Sequence, residues 1–187
     1  MMAKKLPFKT APKKETVDIG SEKHGIIEMP VLGDITVREQ AYINDKLANQ
    51  SNFLEIARIS NKVARAEKID PLAAHKFLTK VIANNLGRQA GELTKNEQNW
   101  QVRYAREIEH LSHFLLKNQW ERQTVTAAAL IRFRVEGCED FTPEDANDMS
   151  QMLIQELYGF AILEQTGDTE EDLEEELEQD LIEQLGK

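Results

Sequence analysis

The side chains best suited to chemistry lie between residues 107 and 138. Glu107-x-x-His110 sets a carboxylate and an imidazole three residues apart, on one face of a helix, and His113 follows three residues later. This is the spacing at which one helix of a di-iron bundle presents its ligands. Such a site needs a second pair of the same kind, and neither His24 nor His75 supplies one. His110 and His113 therefore read as polar residues on a helix face, although a small carboxylate–histidine metalloenzyme built on Glu107, His110 and His113 stays open as a competing class. Cys138 is the single cysteine, so the chain has no internal disulfide and no cysteine-based zinc site. No local motif surrounds it, and it reads as a loop thiol. The chain has no P-loop, GxGxxG turn, GxSxG elbow or HExxH helix. No catalytic residue, metal or cofactor is expected, and the chain is not read as an enzyme.

The elements that carry these residues are helical. Residues 124–165 read as helix, short turn, helix. TVTAAALIRFRV forms the first helix, EGCEDFT the turn, and Thr142-Pro143-Glu144-Asp145 opens the second. Thr142 can accept from the free N–H groups of the first turn, Pro143 loses nothing there, and the two acids suit the helix dipole. Ala146, Met149, Leu153, Leu157, Phe160 and Ala161 then recur at steps of three and four. Ile154, Tyr158 and Ile162 widen that apolar face, which predicts burial on more than one side.

Upstream, Thr36-Val37-Arg38-Glu39 is a capping box opening a helix to about residue 48. A second helix spans roughly residues 53–68, and Asp70-Pro71 starts a third. A longer helix begins near Lys95 with the apolar stripe Trp100, Tyr104, Ile108, Leu111 and Leu115, and Trp120 falls near its end or in the connection to Thr124. GIIEM, residues 25–29, is the one short strand expected.

The 187 residues suggest one domain with appendages. Residues 1–24 read as a flexible basic arm, 25–165 as a compact multi-helix domain, and 166–187 as an acidic amphipathic tail. The fold class is mainly α. Charge is unevenly placed. Between residues 164 and 187 eleven acids oppose one lysine, so that stretch holds the whole net charge of −10 and the rest is balanced. Such a tail argues against general nucleic-acid binding. A nucleic-acid adaptor using the N-terminal lysines is the weaker alternative. Leu173, Leu177, Leu181 and Leu185 recur every four residues in the tail, and Leu173, Leu177 and Leu181 are the expected partner-binding residues, docking in a groove while the acids steer. No apolar run approaches the roughly 18 residues of a membrane span, and the start MMAKKLPFK lacks the apolar region of a secretory signal. A cytoplasmic location is expected.

Two blocks carry a family resemblance. PVLGDITVREQAYI, residues 30–43, resembles the N-terminal block of phage tail assembly chaperones of cyanobacterial phages and prophages: a short strand, a Gly, a Thr and a helix with an acidic residue. TAAALIRFRVEGCEDFTPEDANDMSQMLIQELYGFAILEQ, residues 126–165, resembles their C-terminal block. The matching positions are Ile131, Arg132, Arg134, Phe141, Thr142, Asp145, Phe160 and Glu164. Residues 49–123 carry no such resemblance. The resemblance implies a protein without catalytic residues that keeps a tape-measure protein soluble and recruits tail-tube subunits, with a homo-oligomer compatible with that role. A head or tail completion protein that stays in the virion is the structural alternative.

Overall fold

The computed structural model describes residues 15–48, 52–87 and 90–166. Among these residues the protein is mainly α: seven helices and one two-stranded antiparallel sheet. The expected acidic tail, including Leu173, Leu177 and Leu181, lies outside the described residues, as do residues 1–14 of the arm. The chain divides into two compact units. Among the described residues, the first holds residues 15–48 and 122–166 and the second residues 52–87 and 90–121.

The first unit opens with a hairpin, β1 (Thr16–Ser21) and β2 (Gly25–Pro30). Residues 16–21 thus depart from the expected arm, and the strand at 25–30 has a partner. The register pairs Val17 with Met29 and Ile19 with Ile27. These residues share one face by the two-residue period of a strand, and Ile19 and Met29 are buried. Gly20 has φ +107°, and a Cβ there would stand 2.1 Å from the Gly25 carbonyl oxygen and 2.8 Å from Leu153 Cδ1. Only glycine permits that approach.

Helix α1 (Val37–Leu47) starts at the expected capping box: Glu39 N–H donates to Thr36 Oγ1, and Thr36 N–H donates to the Glu39 carboxylate. The TVTAAALI stretch lies within α5 (Ala105–Arg134). All eight residues from Thr124 to Ile131 are buried, Thr124 and Thr126 among them, so this segment is covered on every side. Helix α5 runs unbroken past Trp120 and Thr124, where a connection was expected; burial of this segment outweighs the lower helix propensity of Thr124, Val125 and Thr126. The second helix of the motif is divided. Thr142 caps a single turn, α6 (Pro143–Ala146), and α7 (Gln151–Thr166) starts afresh at Ser150, whose Oγ accepts from Leu153 N–H at 3.2 Å. Leu153, Ile154, Leu157 and Ala161 are buried in α7, and Tyr158, Phe160 and Ile162 are half-buried.

The second unit contains α2 (Asn52–Glu67), α3 (Pro71–Asn85), α4 (Lys95–Arg103) and the first part of α5. Its core joins Ile56, Ile59, Val63, Phe77, Leu78, Val81 and Ile82 to Tyr104, Ile108, Leu111 and Leu115. The stripe read from the sequence is therefore core. The long helix nevertheless breaks at Tyr104, the C-cap of α4. Glu67 receives hydrogen bonds there from Tyr104 Oη at 2.7 Å, Trp100 Nε1 at 3.0 Å and Arg103 Nη1 at 2.5 Å. The tyrosine hydroxyl holds the Glu67 carboxyl below its ordinary pKa, while burial pushes the Tyr104 phenol up.

Candidate functional site

The residues first considered for chemistry do not converge. The Glu107 carboxylate is engaged by Lys62 Nζ, whose hydrogen bond lowers its pKa. His110 Nε2 stands 3.2 Å from Glu55 Oε1, and Glu55 is also held by Arg58, which lowers its pKa. His113 instead lines a cavity of about 320 Å³ with Asn85, Gln101, Glu109 and Ser112. Among the described residues no group of three His, Cys, Asp or Glu side chains is placed to hold a metal ion. Cys138 is half-buried in the turn after α5, where its carbonyl accepts from Phe141 N–H at 3.0 Å. It belongs to the first unit, whereas His110 and His113 belong to the second.

The most developed polar constellation is elsewhere, in the first unit. The Arg134 side chain, only 1% exposed, lies between Glu39, fully buried, and Glu164, 5% exposed. Its Nε donates to Glu39 Oε1 at 2.5 Å and its Nη2 to Glu39 Oε2 at 3.1 Å, a fork-on-carboxylate pair. Nη1 donates to Glu164 Oε2 and to the Pro30 carbonyl at 3.3 Å, and Nη2 also reaches the Asp34 carbonyl at 3.2 Å. Glu164 Oε1 accepts from the backbone N–H groups of Leu32 at 2.7 Å and Gly33 at 3.0 Å. Phe160, one turn before Glu164, lies under the guanidinium at 5.9 Å. Burial pushes the Arg134 pKa down, but hydrogen bonds and attraction from both carboxylates outweigh it and leave it raised. The guanidinium stays charged, and one cation fastens the turn after β2, the start of α1, the end of α5 and the end of α7.

Beside this cluster lies a cationic and aromatic surface. Tyr42 and Phe133 pack edge to face, with centroids 5.7 Å apart. Arg132 lies 5.6 Å from the Tyr42 centroid and 5.8 Å from that of Phe133; Arg38 covers Phe133 at 5.6 Å and Lys46 covers Tyr42 at 5.6 Å. Arg132 Nη1 also donates to the Phe141 carbonyl at 3.1 Å. Arg38, Arg132, Phe133 and Arg134 line a surface cavity of about 390 Å³, with Glu136 and Glu139 on its wall. Among the described residues, Arg38, Lys46 and Arg132 have no carboxylate partner, unlike Arg58, Lys62, Lys80, Arg103 and Arg134.

No catalytic motif in the sequence marks this surface. Its signals were the Arg38, Tyr42, Lys46 spacing of four on α1 and the Arg-Phe-Arg triplet at residues 132–134. The double use of Glu39, as capping-box acid and as buried counter-ion, had no local signal.

The chain matches no protein-family model, no curated protein and no solved structure. Among the described residues no helix is long and apolar enough to cross a membrane.

Proposed function

We propose that this chain is a phage tail assembly chaperone that binds the tape-measure protein and helps recruit tail-tube subunits in the host cytoplasm. One observation carries the reading: the two segments that resemble this family, far apart in sequence, meet in one buried ion cluster. Glu39 comes from the first block, and Arg134, Phe160 and Glu164 from the second. Resemblance in two segments weighs more when their polar residues serve each other across the fold. Arg132, Phe141, Thr142 and Asp145, the other polar and aromatic positions of the second block, serve the neighbouring turn: Arg132 binds the Phe141 carbonyl, and Thr142 and Asp145 cap each other.

The role is binding rather than reaction. An assembly chaperone needs contact surface and solubility, and the acidic stretch at residues 164–187 supplies charge for the latter. Leu173, Leu177 and Leu181 are the residues assigned to partner recruitment. The test is co-expression with a tape-measure fragment and a tail-tube protein, followed by pull-down. The full chain is expected to retain both partners, and Leu173→Ala with Leu177→Ala and Leu181→Ala to lose recruitment at unchanged charge. If neither partner is retained by the full chain, the chaperone assignment gives way to a structural role in the virion.

A further inference from the structure

The cationic and aromatic surface of the first unit follows one face of a helix. Arg38, Tyr42 and Lys46 recur at four-residue steps on α1, so cation, ring and cation lie along about 12 Å of that face. Arg132 stands over both Tyr42 and Phe133 and adds a third cation beside the middle ring. Its Nη1 is held by the Phe141 carbonyl at 3.1 Å, which orders the guanidinium before a partner arrives. No carboxylate of the described residues neutralises Arg38, Lys46 or Arg132. A cavity of about 390 Å³, lined by Arg38, Arg132 and Phe133, opens beside them. All of these residues belong to the first unit.

We propose that this surface binds an acidic segment of a partner protein, one in which carboxylates flank an apolar side chain. The carboxylates pair with Arg38, Lys46 and Arg132, and the apolar side chain rests on Tyr42 and Phe133, both half-buried. That alternation matches the order of cation, ring and cation along α1. Nucleic acid fits less well. Cations already stand at 5.6 or 5.8 Å over the rings on which a base would stack. Glu136 and Glu139 on the cavity wall repel an unbroken run of phosphates, whereas a protein segment can turn its acids toward α1 and a neutral or basic residue toward these two. Exposed ion pairs are individually weak, so the contact is salt-sensitive and serves to steer and orient the partner. It does not rest on the chaperone assignment.

The probe is a fluorescein-labelled peptide of Glu-Glu-Leu repeats, titrated with the full chain and read by fluorescence anisotropy. The titration is run at about 0.15 M salt, where a screening length of roughly 8 Å hides the more distant acids of the chain. Saturable binding is expected, weaker toward 1 M salt and lost for the matching Gln-Gln-Leu peptide. Arg38→Glu with Lys46→Gln should weaken it roughly fivefold or more, because two exposed pairs are removed. Both positions are exposed, and a Glu in the first turn of α1 suits the helix dipole, so the fold is retained. Glu136→Lys should tighten binding roughly threefold, an effect that a misfolded variant does not produce. Binding that is absent, equal for the two peptides, or unmoved by both variants overturns the proposal. Tighter binding of a single-stranded DNA of matching charge would make the surface a nucleic-acid site and overturn it too. So would self-association of the full chain that Arg38→Glu with Lys46→Gln abolishes in sedimentation, since the occupant would then be a second copy.

Discussion

Replacing Arg134 by Met should be the most damaging single substitution in the first unit. It keeps most of the apolar stem and removes five hydrogen bonds: two to Glu39, one to Glu164 and one each to the Pro30 and Asp34 carbonyls. What remains is worse than the loss itself. Glu39 keeps Thr36 N–H, and Glu164 keeps Leu32 and Gly33 N–H, but two buried carboxylates then face each other without a cation. Breaking a buried pair by removing one partner costs about 3–5 kcal/mol. With a urea dependence of about 1–3 kcal/mol per molar, the midpoint should fall by roughly 1–5 M. The assay is urea unfolding followed by far-ultraviolet circular dichroism. Arg134→Lys should fall between, since an ammonium keeps the charge but cannot fork onto Glu39 while reaching Glu164. Adding Glu39→Gln and Glu164→Gln to Arg134→Met should recover part of the loss, because no uncompensated charge remains. A cost below about 1 kcal/mol for Arg134→Met, the level of an exposed pair, would refute the claim that this cation fastens four segments.

Three further outcomes follow from single sites. Gly20→Ala should lower thermal stability by roughly 2 kcal/mol or more, because its Cβ meets the Gly25 backbone at positive φ, whereas Gly137→Ala, at φ +81° with open space around it, should cost only about 1–2 kcal/mol. Thr142→Ala should cost about 1 kcal/mol, read as a small drop in melting temperature, because it removes the acceptor for Asp145 N–H. Burial lowers the His75 pKa, so between its folded and unfolded values the unfolded chain binds more protons. Stability should therefore decline as pH falls from about 7 through the ordinary histidine range near 6.5, and His75→Gln should flatten that part of the profile in urea titrations. An unchanged slope would show that His75 is not desolvated.

Local features of this fold are legible in the sequence, and non-local ones are not. The capping box at Thr36, the cap at Thr142 and the Asp70-Pro71 start are complete within four residues, so their geometry follows from their own chemistry. The apolar stripes named the core of the second unit because a helix face is set by period alone. β1 is hard to see in the sequence because TVDIGS adjoins a lysine-rich run and its two-residue alternation is short. Tyr104, where α4 ends, donates to Glu67, 37 residues away, and the Thr124–Ile131 segment of α5 is buried by parts of the chain outside the helix. The Arg134 cluster joins residues 95 and 30 positions apart. Nothing near Arg134 in sequence distinguishes it from Arg132, yet one guanidinium is buried between carboxylates and the other rests on aromatic rings.

The most direct test of the functional assignment is native mass spectrometry of the chain co-expressed with tape-measure fragments of increasing length. A chaperone that coats an extended client binds it in several copies, and the number should rise with fragment length. The prediction is a soluble complex whose copy number grows in step with the client. A fragment that stays insoluble in the presence of the chain, or a single copy at every length, would contradict it.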